Sequence, residues 1–318
     1  MGRMTRTEAA QFLLSGDHYT ILTHRRPDGD TLGSAAFLCM GLRQLGKNAC
    51  VLENPEITEK YQPLHRGLTK PAAEDGDTLI CVDVASPDML PDAFRELQDR
   101  VVLRIDHHGT ATSFTKEELV DADAAACGEI LYDVLMEMGA ELDIPMANAL
   151  YTAVSTDTGC FRYANTTAHT FLVAAECAKV SKDLFPINQV LFDTNSLQRL
   201  RLQGWIVENA RFMAGGKIAI CAIPYALERE MGLSEDDLEN ISGFPRSIEG
   251  VKIAATLRQN ADGLVKLSVR AVPGYDAAEI CAVFGGGGHK GAAGANLQMP
   301  LDAAAEAVAQ AMPEMRQL

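Results

Sequence analysis

Residues 19–30 of this 318-residue chain read YTILTHRRPDGD, and this stretch decides the fold of the first half. It opens with an apolar run of β-forming residues, Tyr19–Leu22, and a helical pattern over Thr31–Leu45 follows it. The proline and the glycine between the two are turn formers. The stretch therefore predicts a strand, a tight turn and a helix, which is the opening unit of an α/β sheet.

The turn carries an imidazole and two carboxylates, His24, Asp28 and Asp30. Histidine and carboxylate together are a ligand set for a divalent ion such as Mn²⁺. The two aspartates can equally form the turn and cap the helix that follows. The stretch by itself leaves both interpretations open, so the decision depends on what recurs later in the chain.

Three further short apolar runs, Ala49–Glu53, Thr78–Val84 and Val101–Ile105, follow in the first half. They are apolar throughout rather than alternating, which is typical of parallel strands covered on both faces. Because strands alternate with helical patterns, we predict a doubly wound, mostly parallel α/β sheet. In such sheets the ligand crevice lies outside the carboxyl ends of the strands.

Polar side chains stand at that edge after three of the predicted strands. His24 follows the first strand, Asp83 ends the third, and Asp106, His107 and His108 follow the fourth. Any one of them could be a helix cap or a satisfied surface residue. Three such clusters at one edge of one sheet predict a common site.

Asp157 extends this set, since it lies in the sequence STDTG after a helical pattern, although alone it reads equally as a turn residue. Four carboxylates repel one another without cations, and two divalent ions balance their charge. Nitrogen and oxygen ligands without thiolates favour Mn²⁺ over a structural zinc ion. Paired ions of this kind are typical of phosphoester hydrolysis. The candidate metal ligands are His24, Asp28, Asp30, Asp83, His107 and Asp157.

The two remaining residues of the histidine cluster have catalytic roles in this interpretation. His108, when protonated, is predicted to face a phosphoryl oxygen as an electrophile. Asp106 is predicted to hold an imidazole in orientation. For His108 the alternative is an unspecialised neighbour of a metal ligand.

The second half of the chain has a different pattern. Lys217–Ile223 reads as a strand, and Val251–Gln259 and Leu264–Val272 read as an antiparallel hairpin. The hairpin carries Arg258, which could reach a phosphate. This change of pattern predicts a second, smaller α/β domain.

Residues 285–294, GGGGHKGAAG, form a glycine run with a histidine and a lysine inside it. The N–H groups of Gly286, Gly287 and Gly288 can bind an anion, and His289 adds a polar side chain. We predict a phosphate or carboxylate grip at a helix start, with a flexible loop as the alternative. The run is not a Walker loop, since the GK[ST] ending is missing.

The composition limits the class of partner. A net charge of −15 argues against a surface that coats long duplex nucleic acid, which would need a basic face. No apolar run approaches the ~18 residues of a transmembrane helix, so we expect no membrane contact. The eight cysteines include no CxxC pair, and a reduced, cytoplasmic protein fits them best.

Taken in order, these motifs resemble those of the DHH/DHHA1 phosphoesterase superfamily. Residues 24–30, HRRPDGD, resemble its first motif, and Asp83 at a strand end resembles its second. Residues 106–108, DHH, resemble the name-giving third motif, and Asp157 resembles the fourth. The glycine run at 285–294 resembles the DHHA1 signature. Length and layout are most similar to the bifunctional oligoribonuclease (nanoRNase)/pAp phosphatase group.

The resemblance implies a DHH catalytic domain over residues 1–188, a helical linker over 189–212 and a DHHA1 substrate-binding domain over 213–318. It implies that Arg258 and the loop from Gly286 to His289 hold the far end of a substrate shared between the domains. It also implies two Mn²⁺ ions that share Asp83: one bound by His24, Asp28 and Asp83, and the other by Asp30, Asp83, His107 and Asp157.

The implied substrates are short RNA such as pApA, cleaved to mononucleotides, and pAp, converted to AMP. A cyclic di-AMP/pApA phosphodiesterase and a RecJ-type single-strand exonuclease stay open as alternatives, although the latter usually carries an additional nucleic-acid-binding domain. Manganese pyrophosphatases share the first motifs but lack this glycine signature. A non-catalytic nucleotide sensor is disfavoured, because all six candidate ligands are present. A homodimer is compatible with the resemblance.

Overall fold

The computed structural model of the chain describes residues 2–109 and 112–312. The chain divides into two compact units, Met1–Thr194 and Asn195–Leu318, and each has hydrophobic clusters of its own. Within the described residues, the helices are too short or too polar to cross a membrane.

Over residues 2–109 and 112–194, the first unit contains seven strands, six α-helices and several shorter helical turns. The strands are β1 (Gly2–Arg3), β2 (Tyr19–Leu22), β3 (Ala49–Leu52), β4 (Thr69–Lys70), β5 (Thr78–Val82), β6 (Val101–Asp106) and β7 (Glu117–Val120). The α-helices are α1 (Arg6–Ser15), α2 (Gly29–Gln44), α3 (Cys127–Glu137), α4 (Ile144–Asp157), α5 (Ala168–Ser181) and α6 (Phe185–Asn188). The shorter turns are 3₁₀ helices at Gln62–His65, Pro87–Met89 and Asp92–Arg100 and a π-helical turn at Gln189–Asp193.

The seven strands form one sheet in the order β1-β7-β6-β5-β2-β3-β4, and neighbouring strands pair in parallel. The predicted doubly wound parallel sheet is therefore confirmed. Strand order reverses at β2, because the chain first adds β3 and β4 on one side and later β5 and β6 on the other. The ligand crevice of such a sheet lies at this reversal, outside the ends of β2 and β5. The sequence patterns missed the two-residue strands β1 and β4 and the half-exposed strand β7.

Both faces of the central strands are covered, as their uninterrupted apolar sequence predicts. Ile21 and Ile80 belong to the cluster that packs under the α-helices. Leu22 and Leu79 face the opposite way and pack with Phe94 of a 3₁₀ segment. The strands are thereby held rigidly, and so are the residues that follow them.

Helices α2 and α4 cross so closely that a glycine is required at the crossing. A Cβ atom on Gly33 of α2 would lie 2.5 Å from the carbonyl oxygen of Ala149 and 2.8 Å from the nitrogen of Ala153. Real Cβ atoms do not come so close to backbone atoms. This crossing brings the last residue of α4, Asp157, to the same edge of the sheet as the start of α2.

As far as residue 312, the second unit contains six strands and five α-helices. Its strands are β8 (Arg211–Met213), β9 (Ile218–Ile223), β10 (Ile253–Gln259), β11 (Val265–Ala271), β12 (Gly287–Gly288) and β13 (Ala292–Leu297). Its helices are α7 (Leu197–Asn209), α8 (Tyr225–Met231), α9 (Glu235–Leu238), α10 (Ala277–Ala282) and α11 (Leu301–Ala311), with 3₁₀ turns at Ala214–Gly216 and Ile241–Ser247.

These six strands form a mixed sheet in the order β12-β13-β11-β10-β9-β8. The predicted hairpin is confirmed, since β10 and β11 pair antiparallel and the backbone N–H of Asn260 donates to the carbonyl of Leu264. Among the described strands of this sheet, β9 and β10 pair in parallel and the other neighbours pair antiparallel.

The helix α7 lies in the segment predicted as a linker and packs within the second unit. Its Leu202 and Ile206 are fully buried in a cluster with Cys221 and Ile223 of β9. This part of the segment therefore contributes to the core of the second unit.

The prediction of a helix start after the glycine run is wrong, because strand β13 follows it. Gly286 and Gly288 allow the close pairing of β12 with β13: a Cβ on them would lie 2.2 Å and 2.6 Å from carbonyl oxygens of β13. Along β13 the buried residues Ala293, Ala295 and Leu297 alternate with less buried ones. The small side chains hide this period-two pattern in the sequence.

Candidate metal centre

The structure brings all six predicted metal ligands together at the carboxyl edge of the first sheet. His24 is the second residue after β2, and Asp83 and His107 come immediately after β5 and β6. Asp28 is the N-cap of α2, where its Oδ1 accepts the backbone N–H groups of Asp30 and Thr31 at 3.0 and 3.2 Å. The cap and ligand interpretations of this turn are therefore compatible, since one carboxylate can serve both.

The six side chains form two adjacent groups that share one carboxylate. In the first group, His24 Nε2 lies 3.6 Å from Asp28 Oδ1 and 3.5 Å from Asp83 Oδ2. A divalent ion with bonds of about 2.1 Å holds neighbouring ligand atoms about 3 Å apart, close to this spacing.

The second group surrounds the other imidazole. His107 Nε2 lies 3.8 Å from Asp30 Oδ2, 3.4 Å from Asp157 Oδ2 and 3.5 Å from Asp83 Oδ1. Asp83 thus turns one oxygen towards each group. His108 Nδ1 also lies 3.5 Å from Asp83 Oδ1, so this histidine borders the same space.

The carboxylates of this cluster are buried and repel one another, so bound cations would stabilise their charged forms. Burial raises the pKa of Asp30 well above its usual range, and the neighbouring Asp83 and Asp157 raise it further. Burial raises the pKa of Asp157 in the same way, with Asp28 and Asp83 adding to it. Asp83 Oδ1 is buried and has no hydrogen-bond partner among the described residues. A divalent cation would satisfy this oxygen and allow the carboxylates to ionise together.

Backbone carbonyls fix which nitrogen of each imidazole is available. His24 Nδ1 donates to the carbonyl of Arg25 at 2.8 Å, and His107 Nδ1 donates to the carbonyl of Ala124 at 3.2 Å. A carbonyl can only accept, so Nδ1 carries a proton and Nε2 is the nitrogen that can bind a metal ion. Both Nε2 atoms face the carboxylates, which is the orientation that metal binding requires.

Asp106 holds the neighbouring histidine. Its Oδ1 accepts the backbone N–H groups of His107 and His108 and also His108 Nδ1, the last at 2.8 Å. Burial by itself would lower the pKa of His108, but the bond to Asp106 and the charge of Asp83 raise it to about 9. His108 is thus cationic at neutral pH in this arrangement, and Asp106 has the orienting contact that the sequence predicts.

Two asparagines that sequence reasoning missed support this centre. Asn54 donates to the carbonyl of His24 at 2.9 Å, and its amide is buried. Asn165 donates to the carbonyls of Ala125 and Asp157 at 3.0 and 3.1 Å, which ties the end of α4 to the start of α3. Both lie in irregular segments, where no periodic pattern marks them.

The predicted substrate-binding residues of the second unit are not all brought together. Arg258 is bound by two carboxylates: its Nε donates to Glu228 at 2.6 Å and its Nη2 to Glu235 at 3.1 Å. The loop containing Gly286, Gly287, Gly288 and His289 pairs instead with β13, where His289 N–H donates to the carbonyl of Ala292 at 2.8 Å.

The strand register places a different arginine beside this loop. Arg270 of β11 lies directly opposite Ala292 of β13, the residue that pairs with His289. Arg258 lies on β10, one strand further away, opposite Lys266. Along β11, Arg270 alternates with buried residues. This period-two pattern places Arg270 on the same face of the strand as Lys266 and Ser268.

A family model of the "DHH family, N-terminal domain" matches residues 18–154, and one of the "DHHA1 domain" matches residues 215–316. A relative is also 33% identical over 92% of this chain, so the chain belongs to the DHH/DHHA1 phosphoesterase superfamily of hydrolases. The resemblance inferred from the sequence is confirmed.

Among individual proteins, the chain is similar to the bifunctional oligoribonuclease and PAP phosphatase NrnA of Thermus thermophilus, with 33% identity over 92% of this chain and 89% of the relative. It is 27% identical to the probable bifunctional oligoribonuclease and PAP phosphatase NrnA of Streptococcus mutans, over 87% of this chain and 89% of that protein. The crystal structure of an exopolyphosphatase-related protein from Bacteroides fragilis has the same fold, with a TM-score of 0.86, 21% identity and coverage of 96% and 95%.

Proposed function

We propose that this protein is a Mn²⁺-dependent phosphoesterase that hydrolyses short oligoribonucleotides such as pApA to mononucleotides and pAp to AMP. The similarity to two proteins named for these activities supports the choice of substrates. The observation that carries the proposal is the position of Asp83, whose two carboxylate oxygens face separate groups of ligands.

The residues divide into two ligand sets in this proposal. When bound, two divalent ions supply a hydroxide at neutral pH and neutralise charge on the attacking and leaving oxygens. The carbonyls of Arg25 and Ala124 hold the two imidazoles ready for them. His24, Asp28 and Asp83 would hold the first ion, and Asp30, Asp83, His107 and Asp157 would hold the second.

His108 is the proposed electrophile. Its Nδ1 donates to Asp106 Oδ1, and in this proposal its Nε2 donates to a phosphoryl oxygen of the substrate. A cationic donor placed where charge develops stabilises the transition state, typically by 10²–10³-fold in rate for one such group. Asp106 keeps the imidazole charged and correctly turned.

The loop Gly286–His289 is the proposed binding element for a terminal phosphate or nucleotide. Apart from its chain neighbours, no atom of the described residues lies within 4 Å of a Cβ built on Gly287, so this side of the loop is open. We add Arg270 to this binding element because of its place in the register. Arg258 would have to leave Glu228 and Glu235 to bind a phosphate, so we expect it to contribute less.

One assay tests the function. The purified protein with Mn²⁺ is offered pAp, pApA, a 5-mer and a 24-mer RNA, cyclic di-AMP and pyrophosphate, and kcat/KM is measured for each. We expect pAp, pApA and the 5-mer to be cleaved and chelation to abolish turnover. Preference for the 24-mer would favour the single-strand exonuclease, and preference for cyclic di-AMP would favour the cyclic dinucleotide phosphodiesterase.

A further inference from the structure

Arg104 is a buried cation beside the metal centre to which the proposed function gives no role. Its side chain is only 2% exposed. It lies on β6 two residues before Asp106, so both side chains point to the same face of the sheet. A buried guanidinium is costly unless acceptors surround it, so its partners indicate what it does.

The first partners of Arg104 are carbonyls of two loops. Its Nη1 donates to the carbonyls of Ala85 at 3.0 Å and Thr112 at 3.3 Å. Its Nη2 donates to Glu118 on β7 at 3.1 Å. The loop after β5 and the loop after β6, which both begin with residues of the metal centre, are therefore fastened to one side chain.

The second contact is with the carboxylate that orients His108. Arg104 Nη1 lies 3.7 Å from Asp106 Oδ2, and this oxygen is buried without a hydrogen-bond partner among the described residues. Asp106 Oδ1 is the oxygen that binds His108 Nδ1. The carboxylate thus lies between a guanidinium on one side and an imidazole on the other.

We propose that Arg104 is a positioning residue for the hydrolysis, which holds the Asp106 carboxylate in the orientation that binds His108. The kinetic part of this proposal rests on the phosphoesterase function proposed above. Without the guanidinium, Asp106 Oδ2 would be a buried carboxylate oxygen with no compensating charge on its side. The carboxylate would then be free to rotate away from His108 towards other donors.

A double-mutant cycle tests this coupling. Arg104→Met is compared in the wild-type and His108→Ala backgrounds by kcat and KM on bis-p-nitrophenyl phosphate with Mn²⁺. We expect kcat to fall by roughly 10–100-fold in the wild-type background, as for other groups that orient a catalytic residue, with KM and bound Mn²⁺ unchanged. In the His108→Ala background the further loss should be below about twofold, because the two residues act as one unit. Equal losses in both backgrounds would overturn the proposal.

Two variants control for folding. Arg43 also holds backbone carbonyls, those of Ala49 and Gly67 at 2.6 and 2.9 Å, but it lies away from the metal centre. Arg43→Met should therefore lower the melting temperature while leaving kcat unchanged. If Arg104→Met does not fold, Arg104→Lys takes its place, since it keeps the charge and loses the planar fork.

A spectroscopic readout separates this proposal from the proposed function. The His108 Nδ1–H proton is identified in the NMR spectrum by its loss in His108→Ala. We expect either Arg104 variant to shift it and to leave the Nε2–H proton of the buried His65 in place. An unmoved His108 signal would overturn the positioning role. A shifted signal in a protein that hydrolyses no phosphoester would support the positioning role and overturn the function.

Discussion

At the scale of single residues, Asp83 combines an unusual backbone with a central chemical position. Its φ of 59° lies in the left-handed region, which non-glycine residues seldom adopt. Its backbone N–H is held by the carbonyl of Ile105 on the neighbouring strand at 2.9 Å. Strain of this kind persists where the surroundings impose it, and functional sites are where it concentrates. Here the backbone turns the carboxylate so that each oxygen faces its own group of ligands.

Asp83→Asn should be the most damaging single substitution among the ligands. The amide has the same shape but no charge, and only one of its two end atoms can bind a metal. We expect bound Mn²⁺ to fall and activity to drop by more than about 100-fold, the scale on which groups that stabilise the reacting charge act. Elemental analysis and kcat/KM on pApA measure the two effects. Asp92→Asn, at an exposed ion pair far from the cluster, is the control, and equal activity in both variants would exclude a bridging role.

His65 gives the protein a pH dependence of stability that is separate from its chemistry. Its Nε2 donates to the carbonyl of Leu32 at 2.9 Å, and burial lowers the pKa of the imidazole. The unfolded chain therefore takes up this proton first as the pH falls, so the free energy of unfolding decreases below about pH 6.5. Above that pH the contribution is fully present.

We expect His65→Gln to lose less stability than the wild type between pH 7.5 and 5.5. Glutamine keeps an N–H donor for Leu32 and has no proton to take up in this range. Urea unfolding at each pH measures the difference. An identical pH dependence in the two proteins would mean that other groups cause it.

At the scale of elements, helix ends bring the site residues into place. Asp28 caps α2, whereas Asp30, two residues further on, accepts the N–H groups of Cys127 and Gly128 at the start of α3, at 2.7 and 3.1 Å. The positive end of that helix favours the charged carboxylate. Each aspartate of the turn therefore has a structural partner of its own, and its remaining lone pairs are directed into the metal centre.

Glycine-to-alanine substitutions should have opposite effects at Gly33, where α2 crosses α4, and at Gly204 on α7. Gly33→Ala would place a methyl group 2.5 Å from a backbone oxygen, so we expect a loss of about 1–3 kcal/mol and weaker Mn²⁺ binding through Asp157. Gly204 on α7 has no atom within 4 Å of the added Cβ. Gly204→Ala should therefore stabilise by about 0.5–1 kcal/mol, the usual preference of a helix for alanine. Chemical denaturation compares them, and equal effects would contradict the close crossing.

At the scale of the whole molecule, two compact units divide the proposed work. The carboxylate and imidazole ligands all lie in the first unit, and the glycine loop with Arg270 lies in the second. With a net charge of −15, favourable contacts to phosphate depend on a few local cations and backbone N–H groups. Substrate preference and chemistry should therefore respond to different substitutions.

His289→Ala should separate binding from chemistry. We expect it to leave bound Mn²⁺ intact and to cut kcat/KM on pApA by roughly tenfold or more, since a hydrogen bond to a charged group contributes about 1.5–3 kcal/mol. Hydrolysis of bis-p-nitrophenyl phosphate, which is too small to need a second binding element, should change little. Gly287→Ala should also lower kcat/KM on pApA, because its methyl group would occupy the open side of the loop. Apart from chain neighbours, no atom of the described residues lies within 4 Å of this Cβ, so the fold should be unaffected. Equal losses on both substrates would mean that these residues serve the fold or the chemistry.

The sequence by itself determined the parallel sheet and the place of its polar residues. Runs that are apolar throughout indicate strands covered on both faces, and parallel strands bring the residues that follow them to one edge. The sequence alone therefore predicts that His24, Asp83 and His107 lie in a common site. The order of the motifs was sufficient to recognise the superfamily.

Only the tertiary structure decided which contacts the remaining residues make. Strand β13 follows the glycine run because small residues pair closely there, and its alternation is too weak to read from alanine and glycine. Arg258 is bound by Glu228 and Glu235, which lie at least 23 residues away in the sequence. Arg104 was hidden within an apolar strand, and its partners come from three separate segments. Local patterns report burial and period, whereas partners distant in sequence are brought together only when the whole chain packs.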